Sequence, residues 1–121
     1  MILGLRTAIY PTPDLAAAKD WYAKVFERAP YFDEPFYVGF AVGGFELGLV
    51  PDGVPGTAGV HAYWGVTDID AEVARMVGLG AALHEAVKDV GGGIKVAVAL
   101  DPFGNALGLI QNPQFDLGAV R

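Results

Sequence analysis

Two histidines and no cysteine leave this 121-residue chain few side chains with which to do chemistry. Thiolate zinc sites, iron–sulfur ligation, disulfide scaffolds and cysteine nucleophiles are excluded. Any metal site must draw on His61, His84 or the carboxylates. Among the carboxylates Glu46 stands apart, set between Phe45 and Leu47 in an apolar run. A carboxylate on a largely covered strand is costly to dehydrate unless it is paired or wet, so Glu46 needs partners. His61 lies in a second apolar run, Gly59-Val60-His61-Ala62-Tyr63-Trp64, whereas His84-Glu85 reads as surface. Gly91-Gly92-Gly93 with Lys95 lacks the Gly-Lys-Ser/Thr ending and the following helix of a phosphate-binding loop.

Short elements must position these residues. Leu5 to Tyr10, closed by Pro11 and Pro13, reads as a strand. Asp14 takes the N-cap place of a helix to Phe26, with Leu15, Ala18, Tyr22 and Val25 on one face. Phe36 to Val42 and Phe45 to Val50 read as a hairpin around Gly43-Gly44. A two-residue loop there pairs Ala41 with Glu46 and Gly39 with Gly48, and side chains alternate across each strand. One face is then apolar, from Phe36 and Val38 to Leu47 and Leu49. The other holds Tyr37, Gly39, Ala41, Glu46, Gly48 and Val50, mostly small, with one carboxylate and one phenol.

Past a Pro/Gly-rich connection the pattern starts again. Gly59 to Val66 reads as a strand, Asp68 caps a helix from about Ile69 to Leu79, and Gly80 stops it. An extended segment, Ala81 to Val90, leads through Gly91-Gly92-Gly93 to strands at Ile94–Leu100 and Ala106–Gln111. The repeated order makes one domain of two modules, about 4–50 and 60–112, joined by 51–59 and followed by a tail at 113–121.

Two βαβββ modules, with Pro13-Asp14-Leu15 entering the first helix, Trp21-Tyr22 inside it and Asp101-Pro102-Phe103-Gly104-Asn105 before the last strand, resemble the vicinal oxygen chelate superfamily. That is the glyoxalase, bleomycin-resistance and ring-cleaving dioxygenase group, and the resemblance runs from Leu5 to Asn112. It implies an α+β fold in which the modules form a cup-shaped, partly closed mixed sheet, with helices on the convex side and a pocket in the concavity. It also implies a homodimer. The metal-ligand positions of metal-dependent members fall here on Thr7, Glu46, His61 and Gly108. Glu46 and His61 are ligand types, but Thr7 replaces the usual histidine or glutamine and Gly108 has no side chain. No cofactor is therefore favoured, and a divalent metal on Glu46 and His61 is the lesser alternative.

The same arrangement places Thr7, Ile9, Tyr37, Gly39, Gly48, Tyr63 and Gly108 around the pocket, the three glycines reading as space left for a ligand. It pairs Glu46 with His61, either as a proton-transfer couple or as a static ion pair. Tyr31, Phe32, Trp21, Trp64 and Phe103 read as core or dimer contacts.

Three functions stay open. The first is a metal-free binder of a small hydrophobic or aromatic molecule, of the bleomycin-resistance type. The second is a metal-free enzyme with Glu46 and His61 as its catalytic acid–base pair. The third is a glyoxalase-type lyase, isomerase or epimerase with a reduced metal site. A net charge of −6 argues against nucleic acid as partner. No apolar run approaches the ~20 residues of a membrane span, and Met1 to Leu5 does not read as a signal peptide, so a cytoplasmic location is expected.

Overall fold

Two aspartates start the two helices. In this computed structural model, which describes residues 1 and 3–120, Asp14 Oδ1 accepts from the Ala17 N–H at 3.1 Å and opens α1 (Leu15–Phe26). Asp68 Oδ1 accepts from the Ala71 N–H at 3.2 Å and opens α2 (Ile69–Gly78). Each bond satisfies a donor that a helix start leaves unpaired. Ile2, within the expected non-signal start, and Arg121, at the end of the expected tail, lie outside the described residues.

The chain divides into two compact units, Met1–Pro55 and Gly56–Arg121. The first holds β1 (Thr7–Pro11), α1, β2 (Phe32–Glu34), β3 (Tyr37–Val42) and β4 (Phe45–Val50). The second holds β5 (Tyr63–Gly65), α2, β6 (Ala82–Gly91), β7 (Ile94–Leu100) and β8 (Ala106–Gln111), then a 3-10 turn at Leu117–Ala119. Strand order is β1-β4-β3-β2 in one four-stranded sheet and β5-β8-β7-β6 in the other. In both, the first strand runs parallel to the last and the remaining ladders are antiparallel. The chain therefore builds the α+β, twice-repeated βαβββ fold that the order of its motifs implied.

Parity holds in the first unit. Val38, Phe40, Leu47 and Leu49 are buried together with Ala18, Tyr22 and Val25 of α1. Tyr22 stacks on Phe26 at 5.7 Å between ring centroids and meets Tyr10 at 6.0 Å, so aromatic rings tie helix to sheet. In the second unit Ile69 and Met76 of α2 are buried, as are Ala97, Ala99, Leu107 and Leu109 of its sheet. Asp101 explains the turn before β8. Its buried carboxylate accepts from the Phe103 N–H at 2.9 Å and the Asn105 N–H at 2.8 Å.

Beyond shifts of one or two residues at the ends of β1, α2 and β6, several boundaries differ from expectation. Phe32–Glu34 forms a strand, because Phe32, Asp33 and Glu34 pair with Gly39, Val38 and Tyr37. Pro35-Phe36 is then a turn, and β3 begins at Tyr37 instead of Phe36. The strand expected over Gly59–Val66 forms only at Tyr63–Gly65, where partners on β8 exist. His61 consequently precedes the strand. Gly91 belongs to β6, leaving Gly92-Gly93 as the turn, with φ of +65° and +76° beside +57° and +87° at Gly43-Gly44. Both pairs adopt the left-handed conformations of a two-residue hairpin, which glycine takes without steric cost.

Candidate functional site

Glu46 is positioned by the strands on either side of it. The parallel register sets Thr7 of β1 beside it, and the antiparallel register sets Ala41 of β3 on its other flank. Thr7 Oγ1 donates to Glu46 Oε1 at 2.7 Å, and the Tyr37 hydroxyl donates to the same oxygen at 2.5 Å. The Tyr31 hydroxyl donates to Oε2. Three neutral hydroxyls thus converge on one carboxylate, all from the first unit.

These bonds set the protonation states. Burial pushes the Glu46 carboxyl up, but the donors from Tyr31, Tyr37 and Thr7 together outweigh it and hold it below the usual carboxylate value. The Tyr31 phenol is pushed up by its bond to Glu46 and by burial. Burial and then the Glu46 bond raise the Tyr37 phenol as well, partly opposed by Thr7. At neutral pH the cluster is one anion held by neutral donors.

The strand glycines exist for these tyrosines. A Cβ at Gly48 would collide with the Tyr37 ring, approaching Cζ to 2.6 Å. One at Gly39 would lie 3.0 Å from Glu46 Oε2 and 3.1 Å from a Tyr31 ring carbon. At Gly39 and Gly48 the room left by the absent side chains is the room in which Tyr31 and Tyr37 reach Glu46. Gly108 in the second unit is similar. A Cβ there would come within 2.6 Å of the Ala62 carbonyl oxygen and 2.7 Å of Tyr63 Cδ1.

Beside the cluster opens a cleft of about 390 Å³, lined by Arg6, Thr7, Tyr31, Ala41, Gly44, Phe45 and Glu46. Ile9, exposed, shares the Glu46 face through its register with Gly48. Arg6 donates from Nη1 to the Leu5 carbonyl at 3.2 Å and carries a positive charge at the cleft.

His61 follows a different course from the one expected. Its Nε2 lies 2.5 Å from the Thr57 carbonyl oxygen, which can only accept, so that nitrogen carries the proton. Within the first unit three hydroxyls satisfy Glu46, and within the second a backbone carbonyl takes the His61 imidazole. Tyr31, expected in a core or dimer contact, is the residue that sequence reasoning missed. It is 63% exposed, and the only signal for its role was its place just before the short strand that pairs with Gly39.

The four positions that the superfamily resemblance assigns to metal ligands are poor in donors within each unit. Thr7 offers a neutral hydroxyl whose proton is given to Glu46, His61 turns Nε2 onto backbone, and Gly108 has no donor. Only Glu46 brings a charge, and no group of three or more His, Asp or Glu side chains able to hold an ion occurs among the described residues.

A family model for the glyoxalase-like domain matches residues 7–110. The chain belongs to this family, within the vicinal oxygen chelate superfamily. Solved structures share the fold. A lactoylglutathione lyase from Agrobacterium tumefaciens aligns with TM-score 0.78 and 20% identity over 96% of this chain and 100% of its own. TnmS3, an antibiotic-binding protein from Streptomyces sp. CB03234, aligns with TM-score 0.71 and 26% identity over 92% and 97%. The bleomycin resistance determinant encoded on transposon Tn5 aligns with TM-score 0.71 and 20% identity over 91% and 98%. No curated protein matches the chain. Among the described residues, no helix is long and apolar enough to cross a membrane.

Proposed function

We propose that this glyoxalase-like protein is a metal-independent binder of a small, partly aromatic molecule, held on the Glu46 face of its first module. The observation that carries this reading is the carboxylate fixed by Thr7, Tyr31 and Tyr37 beside a cleft walled by Ala41, Gly44 and Phe45. Few, converging polar groups beside an apolar wall are the usual make-up of a small-molecule site. A general base works best with a pKa raised toward the working pH, and Glu46 is shifted the other way. Glu46 is thus an anchor here, in preference to one half of an acid–base pair with His61. TnmS3, named an antibiotic-binding protein and 26% identical to this chain, supports binding as a role this fold can take.

Thermal melts against a panel of small aromatic and antibiotic-like compounds test the reading. At least one compound is expected to raise Tm by several degrees, since saturation at 100 times Kd adds about 2.7 kcal/mol. The rise is expected to survive a chelator and to shrink in Glu46→Gln. Divalent metals alone should leave Tm unchanged. A stoichiometric metal in purified protein, needed for compound binding, would overturn it.

The superfamily resemblance also leads us to propose a homodimer. Sedimentation equilibrium should then give twice the 12.7 kDa chain mass, and the mass of one chain at every concentration would refute it.

A further inference from the structure

The Glu46 site already has an occupant, and that occupant is a phenol. Tyr31 sends its hydroxyl to Glu46 Oε2, while Thr7 and Tyr37 share Oε1. The two oxygens are therefore served unequally. Oε1 is held by two donors from strands β1 and β3. Oε2 takes its bond from a side chain that is 63% exposed and stands outside the strands, in the bend before β2. The Tyr31 backbone is pinned, its N–H donating to the Gly39 carbonyl at 3.0 Å. Rotation of the side chain alone is enough to free Oε2, and the glycine floor at Gly39 leaves space for another ring there.

We propose that the ligand of this site is a phenol, an aromatic ring bearing a hydroxyl, which displaces Tyr31 and donates its own hydroxyl to Glu46 Oε2. The inference rests on the small-molecule reading above and names its ligand class. Exchange of one phenol for another conserves the O–H···O⁻ bond, so the carboxylate is not left unsatisfied in the complex. Phe45, Ala41 and Gly44 supply apolar surface for the incoming ring. Arg6 favours the phenol over a benzylic amine, because its fixed positive charge at the cleft repels an ammonium and tolerates a neutral hydroxyl.

Three fluorinated probes separate the possibilities by ¹⁹F NMR titration at neutral pH. They are 4-fluorophenol, 4-fluoroanisole, in which a methyl group replaces the donated proton, and 4-fluorobenzylamine, a cation. The phenol is expected to bind at least about fivefold more tightly than the anisole, as one hydrogen bond to a charged acceptor allows. Tyr31→Phe removes the internal competitor and is expected to widen that ratio. Glu46→Gln and, as an independent variant outside the carboxylate, Thr7→Val are expected to narrow it, with Glu46→Gln bringing it close to one. Equal binding of phenol and anisole, or a ratio unmoved by Tyr31→Phe, would overturn the phenol assignment while leaving small-molecule binding intact. Tighter binding of the amine would do the same. If no probe binds either wild type or Tyr31→Phe, the inference fails, and the compound panel then separately decides the binding reading.

Discussion

Glu46 depends on donors that differ in how firmly they are held, and this makes acid stability its most direct readout. Its folded pKa lies below the ordinary value of 4.5, so the cluster stabilises the fold above about that pH and loses this contribution as pH falls through the folded value. The two tyrosines behave in the opposite sense. Their folded pKa values lie above 10.0, so their contribution is complete below that pH and is lost as pH rises through the folded values. Urea unfolding from pH 2.5 to 7 is expected to show a falling acid limb in wild type. That limb should flatten in Glu46→Gln, and also in Gly48→Ala, where the new Cβ pushes Tyr37 off the carboxylate. Parallel acid limbs in all three proteins would contradict this assignment. At this scale sequence reading went half-way. A carboxylate between two apolar neighbours announced that it needed partners, and alternation put Tyr37 on its face. Glycines at 39 and 48 announced space on that face, but a missing side chain does not say which neighbour fills it. Tyr31 stayed hidden because it lies fifteen positions from Glu46 and outside any alternating run.

Among the elements, the turns and caps were the most legible, because their chemistry is local. Gly43-Gly44 admits few readings once both residues need positive φ, and Asp14 and Asp68 each stand where a helix must find an acceptor. Gly43→Val forces a branched side chain into the left-handed region and is expected to cost about 1–2 kcal/mol in chemical denaturation. Gly43→Asn, which tolerates that region, is expected to cost less, and equal losses would show that the turn is not what fixes this hairpin. The strands that escaped notice were those defined only by their partners. Phe32-Asp33-Glu34 has no apolar alternation and is exposed throughout, yet pairs fully with β3. Gly59–Val66 looked uniformly extended, but only the three residues facing β8 entered a ladder. That shortening leaves His61 ahead of the strand, with its Nε2 on the Thr57 carbonyl oxygen.

At the level of the whole molecule, the repeat was readable because each module restates the same strand, cap, helix and sheet order. The match to the glyoxalase-like family over residues 7–110 agrees with it. What the fold leaves open is chemistry, which here turns on a few positions. In the first module three hydroxyls surround a single carboxylate, and the strand glycines accommodate tyrosine rings. The same scaffold thereby becomes a metal-independent cradle in the reading proposed here. The most direct test is a crystal structure of the protein with the compound that most raises its Tm, grown in the presence of a chelator. The compound is expected in the first module's cleft, with a donor on Glu46 Oε2 and its ring against Phe45. A compound seated away from Glu46, or one contacting the protein through a metal ion retained despite the chelator, would contradict it.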